Sequence, residues 1–259
     1  MINALQIAST GMRAQQTQLD VISHNLANVS TPGFKRSSAI TEDLFYQNLR
    51  QVGAPNGEQA ELPTGLQLGL GVRTVATVRD FSQGSLQGSA YQTHVAINGD
   101  GFFQIEMPDG STAYTRDGSF SLDRNGRLVT NGGMPVIGVD PIPPGSTVTI
   151  SSGGVVSAVV GAGPGSTPMG NIQLASFINP AGLEPRGQNL FTETAASGEP
   201  NVGAPGGSGH GTLRQGFLES SNANVVQELV GMIQAQRAFE LNSRAVQTSD
   251  QMLARLAQI

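Results

Sequence analysis

The feature that most constrains this chain is a seven-residue apolar repeat at each of its ends. The repeat runs through residues 1–30 and returns in residues 222–259. In the first stretch it falls on Leu5, Met12, Leu19 and Leu26. In the second it falls on Val225, Met232, Phe239, Val246 and Leu253, with Leu229 on a companion row. Such a repeat is typical of a helix that packs along a partner helix. We therefore predict two long terminal helices, paired in a coiled-coil-like manner.

The polar face of the N-terminal repeat is almost free of charge. Arg13 and Asp20 are the only Arg, Lys, Asp or Glu residues in residues 1–30. A helix that faces water normally carries Lys and Glu on its polar side. The composition therefore favours burial of this face against other protein. From the periodicity alone, a two-helix hairpin at the edge of an ordinary domain explains the pattern equally well.

Both repeats have recognisable limits. Pro32 and Gly33 end the first, because proline lacks the N–H group that continues a helix. Asn224 precedes the second repeat and, with Gln227 three positions later, matches the pattern of a helix N-cap. Gly231 lies inside the second repeat, where it costs about 1 kcal/mol of helix stability. We expect so long a helix to tolerate that cost.

The chain between the repeats is rich in turn signals. Asn98-Gly99-Asp100-Gly101, Asp109-Gly110 and Asn125-Gly126 separate short runs of β-branched and aromatic residues. Short strands with closely spaced turns are typical of a small antiparallel sandwich or barrel. We therefore predict an α+β fold. Its parts are a terminal helical domain (residues 1–30 and 221–259), an intermediate extended or β segment (31–80 and 201–220) and an all-β domain (81–200).

Charge and composition exclude several classes of function. The formal net charge is -5 and no basic stripe is present, which argues against nucleic acid as a partner. The absence of cysteine excludes disulfides and thiolate metal sites. No stretch of eighteen apolar residues could span a membrane, and the amphipathic N-terminus does not match a signal peptide. If the protein leaves the cytoplasm, we expect another export route.

The residue types that carry catalysis do not form a recognisable motif. His24, His94 and His210 do not have the spacing of metal ligands. The Asp123–Gly126 stretch lacks the later ligands of a calcium loop, and a tight turn explains it better. Phosphate-binding loops and nucleophile elbows are also missing from the sequence. We therefore predict no catalytic, cofactor-binding or metal site, and a protein that is not an enzyme.

One string, His24–Arg36, is more specific than any of these patterns. Its core residues are Asn25, Leu26, Ala27, Asn28, Thr31, Gly33, Phe34 and Lys35, the last being the only lysine of the chain. This string resembles the N-terminal signature of bacterial flagellar axial proteins, the subunits of rods and hook. In physical terms it ends the helix, turns the chain through Gly33 and lets Phe34 anchor the turn.

Further similarity to this family is spread along the chain. Val95–Ile105 and Tyr114–Val129 resemble its β-domain motifs, and Gln227–Leu253 resembles its C-terminal segment. The Tyr46–Pro63 stretch is similar to the segment that distinguishes the distal rod from the hook. Its candidate residues are Tyr46, Leu49, Arg50, Leu62 and Pro63. We interpret this stretch as a brace that contacts a neighbouring subunit through Tyr46, Leu49 and Leu62; a solvated loop is the alternative.

The resemblance implies a structural subunit of the flagellar distal rod. It implies export through the flagellar type III apparatus without a cleaved signal peptide, and helical polymerisation into a rigid, hollow rod between the periplasm and the outer membrane. The terminal helices are expected to form its inner layer and the β domain its outer layer. The implied partners are other copies of the chain, proximal-rod proteins, the hook protein, the P-ring and L-ring proteins and the export apparatus. No cofactor is implied.

Two alternatives remain at this point. The first is a proximal-rod paralogue, which would share the helices and the signature. The second is a secreted β-domain adhesin or enzyme on a coiled-coil stalk, which would need a ligand cleft or a catalytic cluster. For an axial protein we expect the terminal helices to become ordered only in the polymer, because an isolated subunit cannot bury them on both sides.

Overall fold

The computed structural model describes residues 2–50, 65–160, 166–207 and 209–256, and it places one long helix at each end of this part of the chain. Helix α1 is Ile2–Ala27 and helix α2 is Val225–Leu256. All the described strands lie between them. The predicted N-terminal helix, C-terminal helix and β-rich middle are therefore confirmed.

The strands are short. In chain order they are β1 (Ser37–Asp43), β2 (Tyr46–Arg50), β3 (Leu66–Gly69), β4 (Val72–Arg79), β5 (Leu86–Gly88), β6 (Val95–Asn98), β7 (Phe102–Glu106), β8 (Thr112–Thr115), β9 (Ser121–Leu122), β10 (Leu128–Val129), β11 (Ser146–Ile150), β12 (Val155–Val160), β13 (Ser166–Asn171), β14 (Leu174–Ser176), β15 (Glu184–Gly187), β16 (Leu190–Thr192), β17 (Asn201–Gly203), β18 (Thr212–Gln215) and β19 (Phe217–Glu219). A 3-10 turn, Pro180–Gly182, precedes β15.

The chain divides into two compact units. The first, here called the helical unit, comprises Met1–Leu26, Ser37–Val78 and Asn224–Ile259. The second, here called the β unit, comprises Ala27–Arg36 and Arg79–Ala223. Each unit therefore draws on both halves of the sequence. The three predicted domain ranges stay a prediction about the assembled protein.

The helical unit brings α1 and α2 together through small residues. A Cβ atom added to Gly11 would lie 2.9 Å from Nδ2 of Asn242, and one added to Gly231 would lie 3.3 Å from Cδ1 of Ile22. The earlier residue of α1 therefore contacts the later residue of α2, which means that the helices run in opposite directions. The unit also contains two strand pairs, β1 with β4 and β2 with β3. Among the described residues, no helix is long and apolar enough to cross a membrane.

Asn224 caps the N-terminus of α2, as the sequence predicted. Its Oδ1 accepts hydrogen bonds from the backbone N–H groups of Val226 at 3.0 Å and Gln227 at 3.4 Å. Two of the N–H groups that lack a partner within the helix are thereby satisfied. The helix then continues through Gly231 without interruption.

The β unit is built around a six-stranded sheet with the order β15-β16-β8-β7-β14-β17. A three-stranded sheet, β11-β12-β13, accompanies it. The two ends of the unit meet in long-range antiparallel pairs, because β6 pairs with β18 and β5 with β19. Strands β18 and β19, the last along the chain, therefore complete the β unit.

Strand β7 packs on both of its faces. Phe103 belongs to a large cluster with Val95, Ile97 and Phe120, whereas its neighbour Phe102 belongs to a second, aromatic cluster. This separation follows from the alternation of side chains along a strand. The aromatic cluster comprises Phe102, Tyr114, Ala175, Phe177, Leu183 and Phe191, with Phe81 packed against it. Burial of each large apolar side chain contributes about 1.5–3 kcal/mol, so the β unit has a core of its own.

Candidate functional site at the signature segment

The signature segment, residues 24–36, begins with a buried asparagine in the last turns of α1. Asn25 is 1% exposed. Its Nδ2 donates to the backbone oxygen of Ser37 at 2.8 Å, and its Oδ1 accepts from the Ser37 N–H at 2.9 Å. The side-chain amide thus satisfies both backbone groups of Ser37, as a neighbouring strand would. Leu26 is partly buried and Ala27 is exposed.

Tight turns follow the helix. The N–H of Thr31 donates to the oxygen of Asn28 at 3.1 Å, and the N–H of Phe34 donates to the oxygen of Thr31 at 3.3 Å. Gly33 adopts a φ of 68°, and a Cβ atom there would lie 2.6 Å from the backbone nitrogen of Asp117. Only glycine combines that conformation with so close an approach. Phe34 is buried, as predicted for an anchor of the turn.

Lys35 has no exposed side-chain surface. Its Nζ donates to Oε1 of Glu219 at 2.6 Å and to the backbone oxygen of Ser82 at 2.7 Å. The same Oε1 accepts from the N–H of Gly84 at 2.8 Å. Because a buried ammonium group needs a charged partner, the only lysine of the chain ties the signature segment to strand β19.

Arg116 completes a buried ion cluster with Lys35 and Glu219. Its Nη1 lies 3.5 Å from Oε2 of Glu219, and its guanidinium lies 5.5 Å from the ring centre of Phe102. The cluster holds two cations and one anion. Burial lowers the pKa of Lys35 and the pKa of Arg116, and the charge of Glu219 opposes both shifts. The carboxylate of Glu219 is therefore the group on which the cluster depends.

Two asparagines fasten the backbone around this ion cluster. Oδ1 of Asn222 accepts from the N–H of Arg36 at 2.8 Å, and its Nδ2 donates to the oxygen of Asp80 at 2.8 Å. Nδ2 of Asn189 donates to the oxygen of Pro32 at 3.1 Å. Within the β unit, the signature segment is therefore bonded to three other parts of the chain.

Sequence reasoning did not find Glu219, Arg116 or Asn222. One signal was available, since a lone lysine directly after a buried aromatic residue suggests a buried charge that needs a partner. That partner lies 184 positions away. Local spacing cannot identify a contact at such a separation.

All ten residues of the predicted helix rows lie at partly buried or exposed positions. Leu5, Met12, Leu19, Leu26, Met232 and Val246 are partly buried, and Val225, Leu229, Phe239 and Leu253 are exposed. The buried residues of the two helices are Ala8, Ala14, Ile22, Asn25, Glu228 and Ala235. Three of these six residues are alanines. The predicted rows remain a prediction about contacts between copies.

The rod-specific residues that the structure describes lie on the exposed ribbon formed by β2 and β3. Tyr46, Leu49 and Arg50 are all exposed, and Phe45 before them is 90% exposed. Leu62 and Pro63 lie outside the described residues. The ribbon therefore presents aromatic and aliphatic side chains that are more than half exposed.

Groups suited to metal binding do not come together in the described ranges. No three His, Cys, Asp or Glu residues there are close enough to share a metal ion. His94 lies 2.8 Å from Oγ of Ser89, and His210 lies 2.9 Å from the oxygen of Asn201. These contacts give both histidines structural partners.

The chain is similar to flagellar proteins over its whole length. Three family models match: "Flagella basal body rod protein" at residues 5–35, "Flagellar hook protein FlgE/F/G D1 domain" at residues 96–158, and "Flagellar basal body rod FlgEFG protein C-terminal" at residues 214–259. The first match includes most of the signature segment, and the last includes Glu219.

Relatives with the same extent are flagellar basal-body rod proteins named FlgG. That of Buchnera aphidicola subsp. Acyrthosiphon pisum is 52% identical and covers 100% of both chains. That of Borreliella burgdorferi is 48% identical over 98% of this chain and 97% of its own. That of Bacillus subtilis is 38% identical over 100% and 99%. The flagellar hook protein FlgE of Helicobacter mustelae is 44% identical over 53% of this chain and 31% of its own.

Proposed function

The chain belongs to the FlgG family of flagellar basal-body rod proteins, and we propose that its terminal helices join copies into the rod while residues 81–200 form the outer layer. The protein is a structural subunit of the flagellar distal rod. It acts in the flagellar basal body, in an assembly that includes other copies of itself and connects to the hook. Its relatives are structural rod proteins, and we propose that it has no catalytic activity.

The observation that carries this proposal is the uncovered apolar surface on the two helices. Large apolar side chains that remain exposed there are Ile7, Val225, Val226, Leu229, Val230, Ile233, Phe239, Leu241, Met252 and Leu253. Extended exposed apolar surfaces mark sites of protein association. The scarcity of charge in α1 supports the same conclusion, because a helix whose polar face is covered by protein in the assembly does not need charges there.

In the proposed assembly, the helices pair in a coiled-coil-like inner layer around a channel. Residues 31–80 and 201–220 form an intermediate layer. The resulting polymer is helical, straight and hollow, so it transmits torque from the motor to the hook and lets exported proteins pass. Proximal-rod proteins, the P-ring and L-ring proteins and the type III export apparatus are the further proposed partners. Export occurs without a cleaved signal peptide, and the rod crosses the periplasm.

The ribbon of β2 and β3 is the proposed brace between neighbouring subunits. A two-stranded ribbon is at best marginally stable in water on its own. Contact with a second copy through Tyr46 and Leu49 would cover the exposed apolar surface of this ribbon. If the stretch from Tyr46 to Pro63 is deleted, we expect assembled rods to lose their straightness in electron micrographs. Rods as straight as those of the wild type would contradict the brace.

The two alternatives raised by the sequence are disfavoured. FlgG relatives match the chain from end to end; the FlgG of Borreliella burgdorferi, for example, aligns with 98% of this chain. This disfavours a proximal-rod paralogue. The same match disfavours an adhesin or enzyme, because the helices and the β unit both belong to the rod protein.

Localisation in isolated basal bodies tests the function. The gene is deleted from its host and replaced by a copy with an epitope tag in the Gly133 turn of the β unit. We expect immunogold label on the distal part of the rod, restored hooks and restored motility. An untagged strain provides the control for antibody specificity. Complete rods in the deletion strain, or a tagged protein absent from basal bodies, would refute the function.

Hydrogen exchange tests whether the helices depend on assembly. In a monodisperse sample we expect fast exchange of the α1 amides and slow exchange of β7, which is central in the six-stranded sheet. In isolated basal bodies both should exchange slowly. Strong protection of residues 5–26 in the monomer would show that the helices are ordered without a neighbour.

A further inference from the structure

Asparagine directly followed by glycine is the sequence most prone to a reaction within its own backbone. The glycine nitrogen attacks Cγ of the asparagine, ammonia leaves, and water opens the resulting succinimide ring to aspartate or isoaspartate. Glycine favours this attack because it has no side chain and leaves the backbone free to rotate. The chain contains four such pairs, Asn56-Gly57, Asn98-Gly99, Asn125-Gly126 and Asn131-Gly132, of which the first lies outside the described residues.

Asn98-Gly99 and Asn125-Gly126 are restrained at the nitrogen that would attack. The N–H of Gly99 donates to Oε1 of Gln83 at 3.1 Å, and the N–H of Gly126 donates to the backbone oxygen of Asp123 at 2.8 Å. Asn98 also lies in strand β6, where it pairs with Thr212. Neither glycine nitrogen can turn toward its asparagine side chain until these bonds open, and local opening costs free energy.

Asn131-Gly132 lies in an exposed turn and lacks this restraint. The turn is closed by the N–H of Gly133, which donates to the backbone oxygen of Thr130 at 2.9 Å. Asn131 and Gly132 are both exposed. Within the residues that the structure describes, the N–H of Gly132 has no hydrogen-bond acceptor. The attacking nitrogen is therefore available in the folded protein.

The side-chain nitrogen that must leave Asn131 is bonded to a hydroxyl group. Nδ2 of Asn131 donates to Oγ of Ser119 at 2.9 Å. The Ser119 hydroxyl in turn donates to Oδ1 of Asp117 at 2.6 Å, and the same Oδ1 accepts from the Ser119 N–H at 2.9 Å. Asp117 therefore fixes the position of Ser119, and Ser119 touches the leaving nitrogen.

A cavity of about 340 Å³ in the β unit lies beside these groups. Its lining residues include Asn131, Gly132, Ser119 and Asp117. Because one water molecule takes up about 30 Å³ of liquid, water has room next to the amide. Water is the only other reactant that the modification needs, since the nucleophile belongs to the chain itself.

We propose that Asn131 deamidates in the folded protein, with Ser119 as the proton donor. A bond forms between the nitrogen of Gly132 and Cγ of Asn131, and the bond between Cγ and Nδ2 breaks. In the tetrahedral intermediate Nδ2 gains a lone pair, so it takes the proton of Ser119 and leaves as ammonia. The proton released from the Gly132 nitrogen restores the hydroxyl. A positioned proton donor accelerates such a step about a hundredfold or more.

The reaction changes both the charge and the backbone of this turn. A new carboxylate arises beside Asp117, where like charges repel each other. Isoaspartate in addition inserts a further carbon atom into the backbone between Val129 and Pro135, which pair across the turn. Because the ammonia is lost to solvent, the change is permanent. Its extent therefore increases with the age of each molecule.

Peptide mapping by mass spectrometry tests the site. The full-length chain is incubated in water enriched in heavy oxygen, which marks every asparagine that has reacted. In the folded protein we expect Asn131 to react at least about tenfold faster than Asn98 and Asn125. In denaturant, where no restraint remains, the three should react at similar rates. Equal rates in the folded protein, or the same ranking in denaturant, would overturn the proposal.

Removal of the hydroxyl tests the proton donor. Ser119→Ala should slow the reaction of Asn131 about tenfold or more in the folded protein and leave it unchanged in denaturant. Ser119→Thr keeps a hydroxyl and should retain the wild-type rate. Ser111→Ala is the matched control, because Ser111 donates to Oδ1 of Asp109 through its N–H at 2.9 Å and its hydroxyl at 2.6 Å. It removes an equivalent bond from another turn and should not change the rate at Asn131.

Two further results would refute the role of Ser119. An unchanged or faster reaction of Asn131 in folded Ser119→Ala would show that the hydroxyl only restrains the turn. The wild type provides a test that does not depend on the folding of any variant. With the proton donor in place, Asn131 should react about tenfold or more faster in the folded protein than in denaturant, and a slower reaction in the folded protein would exclude assistance by Ser119.

Discussion

The β unit and the helical unit differ in which side chains they bury. The β unit encloses two apolar clusters and even a trio of charges, with Phe103 and Lys35 fully buried. The helical unit buries few residues, among them the alanines Ala14 and Ala235, and it exposes many of its large apolar ones. The first unit has an apolar core within one copy. We propose that the assembly covers the exposed apolar surface of the second, so that stability and assembly depend on different parts of one chain.

Loss of the buried carboxylate of Glu219 is expected to give the largest difference in stability between the two units. Glu219→Gln leaves the cations of Lys35 and Arg116 buried without an anion, which we expect to destabilise the β unit by about 3–5 kcal/mol. Chemical denaturation followed by circular dichroism measures the change. The helical unit supplies the control, because Glu42 and Arg73 form an exposed ion pair at 3.4 Å. Glu42→Gln should cost about 0–1 kcal/mol; equal losses would remove the distinction between the units.

A methyl group at Gly33 gives the next largest effect. Gly33→Ala requires an alanine in the left-handed region and against the backbone of Asp117, and we expect a loss of about 3 kcal/mol. Gly110→Ala is the matched control, with a φ of 80° but open space around its Cβ position. It should cost about 1 kcal/mol. Thermal unfolding of the two variants compares them, and equal melting temperatures would show that the close approach to Asp117 is unimportant.

Removal of the α2 cap has a smaller effect, confined to the helical unit. Asn224→Ala deprives the N–H groups of Val226 and Gln227 of their acceptor, at a cost of about 1 kcal/mol. In isolated basal bodies we expect faster hydrogen exchange at the start of α2 and unchanged exchange in β7. Asn224→Ser keeps an acceptor and should restore protection. A loss of protection in β7 would mean that the two units unfold together.

Alkaline pH tests the β unit through one titrating side chain. Burial, with help from Glu193, raises the pKa of Tyr114 to about 12. The unfolded chain ionises this phenol near pH 10. Its contribution is therefore fully present below pH 10 and is lost as the pH rises through 12. The lowered pKa of Lys35 has the opposite effect on stability. Just below the ordinary lysine pKa of 10.5, it makes the folded state more stable as the pH rises. Tyr114→Phe isolates the first effect and should flatten the fall in melting temperature; an unchanged profile would assign it to another group.

The sequence was informative wherever structure depends on neighbouring residues. The heptad spacing predicted both helices, Asn224 predicted a cap, and Gly33 predicted a turn. The spacing did not predict which face of α2 contacts α1, because Ala235 and Asn242 repeat at the same interval as Met232 and Phe239. The apolar row itself stays partly buried or exposed within one copy, and its burial against a second copy remains a prediction.

The signature segment shows a second limit of sequence reasoning. Its residues were recognised, but their physical role depends on long-range partners. Lys35 needs Glu219, and Arg36 needs Asn222, 186 positions away. A chain carries no local pattern that announces such pairs. The turn chemistry of the segment was therefore predictable, whereas its bonds to β19 and its burial were not.

The bond between Lys35 and Glu219 also affects the order of folding. The two residues lie near opposite ends of the β unit's sequence, 184 positions apart. The chain between them must therefore close into a loop before Lys35 and Glu219 can pair. Contacts between residues so far apart in sequence form slowly. A chain that emerges N-terminus first holds Lys35 in water until residue 219 has followed. The β unit can thus be completed only after nearly the whole chain has emerged.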